Sequence, residues 1–480
     1  MHRTSWFLAL AFCALGHASL AQTGGSGVKQ GDTLAEFVKA DWSKGLKVGP
    51  NGPIPAIVVD QFGYPSKARK IAVIRDPQTG YDSVASFTPG STYALLDMAT
   101  GKVVKVAAPT AWNLGRPDPV SGDKAWWFDF SEIVTPGRYA VVDPEKGVRS
   151  AGFSIGDGVY RDVMKHAMRA FFYQRAGFEK KPEFAGRNWA DRASHLGPGQ
   201  DGQTRPWHNG NPNAPVAPSE IKDLRGGWYD AGDYNKYTTW TANYVVILLR
   251  AFEENPQAFS DDYEIPESGN GIPDILDEVR WALDWLGRMQ NADGSVLSVQ
   301  GLASASPPSA ARAPSYYGPP TTSASLRAAA AFAYASKIFS ARPEQELKAY
   351  GEAEANPKIL YYNNDNGRQP GSQGLAAGQQ ELSDAERHRA KFEAAVYLYE
   401  LGDEPGFKSF LEWNYRSIIP PHGPTLWEIE AQEILLYYAR LRGTSPEVQK
   451  AIHDRFLAVM RPSTHSFERV LANADPYRSP

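Results

Sequence analysis

Ile272-Pro273-Asp274-Ile275-Leu276-Asp277-Glu278-Val279-Arg280-Trp281-Ala282-Leu283-Asp284-Trp285-Leu286-Gly287-Arg288-Met289-Gln290 carries the clearest period in the chain. Ile275, Val279, Ala282, Leu286 and Met289 recur at spacings of four, three, four and three. Such spacings put all five on one face of a helix, and that face should be buried. Asn270 reads as the N-cap of this helix, with Pro273 in its first turn. Working outward, the helical period returns in Val159–Arg175, Trp240–Glu254, Thr321–Ser340, Glu381–Leu401, Thr425–Leu441 and Pro446–Met460. Weaker segments lie at Glu344–Ala353 and Phe407–Tyr415. Roughly seven to nine helices are therefore expected, with boundaries good to a few residues. Their long irregular connections imply a helical toroid or array, and long loops on such a scaffold are where sites are built. Gly301–Pro320, rich in Ser, Ala and Pro and carrying Tyr316 and Tyr317, reads as a rim loop. Residues 186–229 form a second long loop, dense in Trp, His, Asn, Gly and Pro.

Before Gly158 the period is short. Ala56–Asp60, Lys70–Arg75, Thr92–Asp97, Val103–Val106, Trp126–Phe130, Gly137–Asp143 and Phe153–Ile155 are rich in Val, Ile, Tyr and Trp and are separated by turn residues. Short strands at this density predict a β-sandwich over residues 54–156. Trp126 and Trp127 alternate across one strand, so at least one of them should pack in its core. Residues 1–21 read as a secretory signal: Arg3 supplies the positive start, Trp6 to Leu15 the apolar core, and Ser19-Leu20-Ala21 the small residues before a cut. Residues 22–53 are then a linker, and the helical region fills 157–480. The expected location is secreted or periplasmic.

The composition is globular, with 42% apolar and 22% charged residues over 480 positions. A net charge of −4 leaves no basic footprint for nucleic acid. No apolar run after the leader approaches the roughly 20 residues of a membrane span. The one cysteine, Cys13, lies in the leader. Neither a disulfide framework nor a cysteine metal site can be built, so stability must come from packing.

The second long loop ends in Gly226-Gly227-Trp228-Tyr229-Asp230-Ala231-Gly232-Asp233-Tyr234-Asn235-Lys236-Tyr237. Two carboxylates three apart can share one side of a turn. Glycines let the backbone bend and let a ligand approach it. Aromatic faces suit the C–H faces of sugar rings. Paired carboxylates serve acetal hydrolysis, where one activates water and another group protonates the leaving oxygen. The competing reading is an Asp-rich turn in which Asp233 simply caps the following helix.

This stretch resembles the signature of glycoside hydrolase family 9, the endoglucanase and cellulase family with an (α/α)6 barrel. Pro266 to Glu278, Pro-Glu-Ser-Gly-Asn-Gly-Ile-Pro-Asp-Ile-Leu-Asp-Glu, is similar to the start of a helix in that family. Val59-Asp60-Gln61-Phe62-Gly63-Tyr64 resembles the opening strand of the immunoglobulin-like domain that precedes some of these barrels. The resemblance implies a multidomain chain, an all-β immunoglobulin-like sandwich followed by an all-α barrel, that hydrolyses a β-1,4-glucan with inversion. It implies that Asp233 is the general base and that Asp230 helps to hold the water. Trp228, Tyr229 and Tyr237 would lie near sugar subsites, or else in the core. His195, Trp207 and His208 could reach sugar hydroxyls, or else pack.

The resemblance stops short of the family's general acid, a Glu in a C-terminal motif preceded by a segment with a His and an Arg. Neither segment is found here, so the barrel is expected to be incomplete. Glu381, Glu393, Glu428, Glu430 and Glu433 remain as acids to be searched, all on amphipathic helices where Glu usually faces solvent. Without an acid the chain would be a non-catalytic carbohydrate-binding remnant. Mixed-linkage glucan, xyloglucan or a glucosamine polymer are alternative substrates. No cofactor is required for the chemistry. A structural calcium is left open at Asp261, Asp262, Glu264, Glu267 and Asp274, against the reading of helix-start residues.

Overall fold

A computed structural model describes residues 27–344 apart from 45, 50, 51, 209, 210 and 212, then 375–376, 381–419 apart from 403, 429–460 and 475–477. The leader, Glu428 and most of Glu344–Ala353 lie outside the described residues. The chain divides into two compact units, Met1–Tyr160 with Ala474–Pro480, and Arg161–Asn473.

In the first unit the alternating segments form two antiparallel sheets. The strands are β1 (Ile57–Val58), β2 (Ile71–Pro77), β3 (Tyr93–Asp97), β4 (Val103–Ala107), β5 (Thr110–Ala111), β6 (Asp123–Asp129), β7 (Gly137–Asp143), β8 (Val148–Arg149) and β9 (Phe153–Ile155). One sheet runs β1-β2-β6-β5; the other runs β8-β7-β3-β4, with β9 also on β7. Every second residue points inward, so Ile57, Ala72, Ile74, Tyr93, Leu95, Phe128, Phe130, Tyr139, Val141, Phe153 and Ile155 share one core. Trp126 packs against this core. Trp127 takes the other face, where the Arg69 guanidinium lies 5.7 Å from its ring centre. The stretch expected as a linker is partly structured: Val28, Leu34, Phe37 and Val38 cover the outer face at Ala94, Leu96, Val103 and Val142.

Residues 475–477, expected within the helical region, belong to the first unit. The Trp127 indole donates to the Pro476 carbonyl at 2.7 Å, and the Tyr477 hydroxyl donates to Asp123. Asp123 also pairs with Arg75 at 2.9 Å, so the phenol docks onto a buried ion pair.

The second unit contains α1 (Arg161–Gln174), α2 (Thr238–Glu254), α3 (Asp274–Met289), α4 (Thr322–Ser340), α5 (Asp384–Gly402), α6 (Pro405–Ile418), α7 (Ile429–Arg440) and α8 (Pro446–Met460). The Ile275 to Met289 face of α3 is buried as its period requires. The helix begins two residues later than expected, with Pro273 at its N-cap. Asn270 instead closes a turn, its side-chain oxygen accepting from Ile272 N–H at 2.7 Å. The alanine-rich α4 packs between α2 and α5, because small side chains let the helices approach. Its first turn is held by the Glu381 carboxylate, which accepts from the N–H groups of Thr322 and Ser323, both at 3.1 Å. The helices α2, α4, α5 and α7 also face one another across charge. Arg327 pairs with Glu393 (2.5 Å) and Glu430 (3.3 Å), and Arg250 pairs with Glu433 (2.5 Å) and Glu393 (3.6 Å). Among the described residues no helix is long and apolar enough to cross a membrane.

Four two-residue or three-residue strands tie the long loops together: β10 (Arg205–Pro206), β11 (Lys236–Tyr237), β12 (Val299–Gly301) and β13 (Tyr316–Tyr317). Their order is β10-β13-β12-β11. Strands this short leave no period in the sequence, yet this sheet brings the rim loop beside the paired aspartates.

Candidate active site

The Gly226–Tyr237 loop rests on two buried cations. Lys236 is fully buried and pairs with the equally buried Asp201 at 2.9 Å. Its ammonium also donates to the carbonyls of Gly226 (2.8 Å) and Leu224 (3.2 Å), so all three protons are used. Burial holds the Lys236 pKa below its ordinary value, while Asp201 acts to raise it. Arg175 is buried beneath the start of the loop, bonded to Glu267 and Glu278 and enclosed by the rings of Phe172, Phe178 and Trp281. Glu278 accepts from the Trp228 indole at 3.3 Å, and the Trp281 indole donates to Gly227 O at 2.9 Å.

Glycine is required at 227. Its φ is +74°, and a Cβ there would stand 2.6 Å from Trp285 Cγ. Gly301 makes a similar allowance on the rim side, where a Cβ would meet Leu375 Cδ1 at 2.5 Å.

On this base stand the two aspartates. Asp233 is exposed. Its Oδ1 accepts from Asn235 N–H (3.2 Å); its Oδ2 accepts from Asn235 Nδ2 (2.8 Å) and the Tyr237 hydroxyl (3.2 Å). Asp230 is half-buried and accepts from the Tyr244 hydroxyl at 3.3 Å. Its pKa is raised, first by burial and then by the charge of Asp233, against the lowering effect of Tyr244. Asp230 N–H donates to Asn235 O at 2.9 Å, which closes the turn that presents both carboxylates. One exposed, hydrogen-bonded carboxylate beside a half-buried one is an arrangement that can hold and deprotonate a water.

Of the two readings of the aromatic residues, burial favours packing for Trp228, Tyr229 and Tyr237. Trp228, Tyr229 and Tyr237 are each at most 3% exposed. Trp228 is core, and Tyr237 serves through its hydroxyl. Tyr229 OH lies 2.7 Å from His195 Nδ1 and also bonds Ser194. His195 Nε2 lies 2.8 Å from Ala303 O. A carbonyl only accepts, so Nε2 carries the proton and Nδ1 accepts from a hydroxyl. Burial lowers the His195 pKa, in keeping with a neutral ring. Both nitrogens are therefore spent inside the protein. His195 and Tyr234 hold left-handed backbones (φ +55° and +57°), and both rings lie against Tyr229. Trp207 is half-buried on the rim, edge-on to Tyr316 at 5.3 Å, and His208 is exposed. Sequence reasoning missed Asn235 and Tyr244 as partners of the aspartates, and Trp240, which is 39% exposed and 4.3 Å from the Tyr237 ring.

The four described glutamates considered as acids are occupied elsewhere. Glu381 holds α4, Glu393 and Glu430 bind Arg327, and Glu433 binds Arg250. The carboxylates considered for calcium each have a partner of their own. Asp261 accepts from Gly269 and Gly271, Asp262 pairs with Arg161, Glu264 with Lys165 and Arg169, Glu267 with Arg175, and Asp274 accepts from Tyr263 N–H. Among the described residues no group of three or more His, Cys, Asp or Glu converges as metal ligands.

Residues 160–439 match the family model for glycosyl hydrolase family 9, and residues 53–147 match that for the cellulase N-terminal Ig-like domain. The chain is 30% identical over 373 residues to a xyloglucan-specific endo-β-1,4-glucanase of Bacteroides ovatus, covering 72% of this chain and 57% of that protein. It is 29% identical to a cellulose 1,4-β-cellobiosidase of Acetivibrio thermocellus, over 60% of this chain and 34% of the relative. The crystal structure of a metagenome-derived family 9 endoglucanase is similar with a TM-score of 0.67 and 30% identity, over 84% of this chain and 72% of that one. The chain thus spans less than two thirds of the length of these two curated relatives.

Proposed function

This chain is a member of glycosyl hydrolase family 9, and on that premise we propose that it hydrolyses a β-1,4-glucan outside the cell, with inversion. Asp233 acts as general base, and Asp230 helps to hold the attacking water. The observation that carries this reading is the Asp233 carboxylate itself, open to solvent yet fixed by three donors from Asn235 and Tyr237. In an inverting reaction the base takes one proton from water while an acid on the opposite side of the sugar protonates the leaving oxygen. The helical unit would form the (α/α)6 barrel of the family, with the rim loop and Trp207 bordering the glucan.

A second reading is glucan binding without turnover. It draws on the four glutamates that are committed to other partners. Reducing-end release from carboxymethylcellulose and barley β-glucan separates the two, with Asp233→Ala beside the wild type and circular dichroism on both. We expect turnover that Asp233→Ala abolishes without unfolding. A variant with normal turnover removes Asp233 from the mechanism. A folded wild type that binds glucan and releases no ends selects the second reading.

A further inference from the structure

An aspartate on an exposed loop turns freely about its last torsion, and a general base must point one lone pair at one water. Asp233 does not turn freely because Asn235 grips it twice, through backbone N–H to one oxygen and through the side-chain amide to the other. The amide is itself held. Asn235 is 7% exposed, and its Oδ1 accepts from the backbone N–H of Leu302 at 3.0 Å. The polarity of the amide is dictated by these partners. Leu302 N–H offers only a proton and Asp233 only lone pairs, so the oxygen must face the rim and the nitrogen the carboxylate. Leu302 directly follows β12, whose Gln300 and Val299 pair with Lys236 and Tyr237 of β11. The rim backbone and the loop that carries Asp233 are thus joined by a ladder and, one residue further, by the Asn235 side chain. A parallel link runs from Ala303 through His195 to Tyr229, the residue before Asp230.

We propose that Asn235 is a positioning residue: held by the rim backbone at Leu302, its amide fixes the plane of the Asp233 carboxylate so that Oδ1 faces the attacking water. Oδ1 accepts one donor and keeps a lone pair free, whereas Oδ2 is taken by two donors. The proposal rests on Asp233 as general base.

The test compares wild type, Asn235→Ala and Asn235→Asp, with Asp233→Ala as reference. Asn235→Asp has the same shape and keeps the acceptor for Leu302, but it sets a second carboxylate charge beside Asp233. Asn235→Ala removes the donation without adding charge, so the carboxylate plane in Asn235→Ala is the readout that separates rotation from repulsion. Initial rates on soluble barley β-glucan and crystal structures of the same proteins are the two readouts. We expect kcat to fall about ten- to a hundredfold in both Asn235 variants, with KM within about twofold, and the Asp233 carboxylate to be rotated. An unchanged kcat in folded Asn235→Asp, or a change confined to KM, overturns the proposal while leaving Asp233 as base if Asp233→Ala is inactive. If the wild type itself shows no turnover, the catalytic reading falls first, and the crystal structures decide alone. An Asp233 carboxylate in the same plane in both variants then overturns the proposal.

Discussion

The indole of Trp285 fills the space that a side chain at residue 227 would need, with its Cγ 2.6 Å from the site of a Gly227 Cβ. Helix α3, through a residue beside the face read from periodicity, therefore reaches directly under the loop that carries the aspartates. Gly227→Ala must both enter a left-handed backbone and displace a fully buried indole. These two costs predict a loss of about 2–4 kcal/mol. Urea denaturation followed by tryptophan fluorescence measures it, and a loss below 1 kcal/mol would mean that the loop slides off Trp285 at little cost.

Lys236 and Asp201 are each fully buried. Lys236→Met leaves the Asp201 carboxylate buried with Ser315 as its remaining side-chain donor. Breaking one side of such a pair is expected to cost about 3–5 kcal/mol. Adding Asp201→Asn should recover part of that cost, because the uncompensated charge is gone. A thermal denaturation cycle over the four proteins checks the coupling.

Asp277 sits in the first turn of α3, 6% exposed, and burial pushes its carboxyl up to about 7 despite the Asn270 donor; Asp274 beside it is pushed up to about 6. A carboxyl raised in the folded state binds its proton more tightly there than when unfolded. Its contribution to stability is complete below pH 4 and is lost as pH rises through about 7. Asp277→Asn should therefore flatten the fall in stability between pH 4 and 7, with a gain at pH 8 of up to about 4 kcal/mol. Denaturant midpoints across that range test the slope, and parallel curves for wild type and variant would refute it.

Glu393 lies between Arg327 and Arg250. If it were the general acid, Glu393→Gln would abolish turnover. We expect instead a stability loss of about 2–3 kcal/mol, with specific activity of the folded fraction within about threefold of wild type. Activity normalised to folded protein distinguishes the two.

The fold was legible where burial imposes a period. The β-rich runs of β2, β6 and β7 and the four-three spacing of α3 mark where a core must be, and their core-facing side chains are buried. The site was legible as residue types, since Asp230 and Asp233 share one turn. Its supports were not. Asn235 acts through two hydrogen bonds to Asp233. Tyr244 and Leu302 act through single ones across 14 and 67 residues, and such contacts leave no periodic trace. The aromatic residues kept two readings open for a related reason. A tryptophan beside glycines can as well fill the gap that the glycines open as face a sugar, and Trp228 does the former.

Pro476 and Tyr477 meet strand β6, from which they are separated by about three quarters of the chain. The sandwich unit is therefore a discontinuous one, with the helical unit inserted between its two pieces. During synthesis Trp127 and Asp123 leave the ribosome with their final partners still untranslated. The sandwich can fold early on its own sheets, but its last hydrogen bonds form only after the helical insert has been made. Closure of so long a loop costs entropy slowly with length, so these contacts mark the order in which the chain is completed more than the stability of either unit.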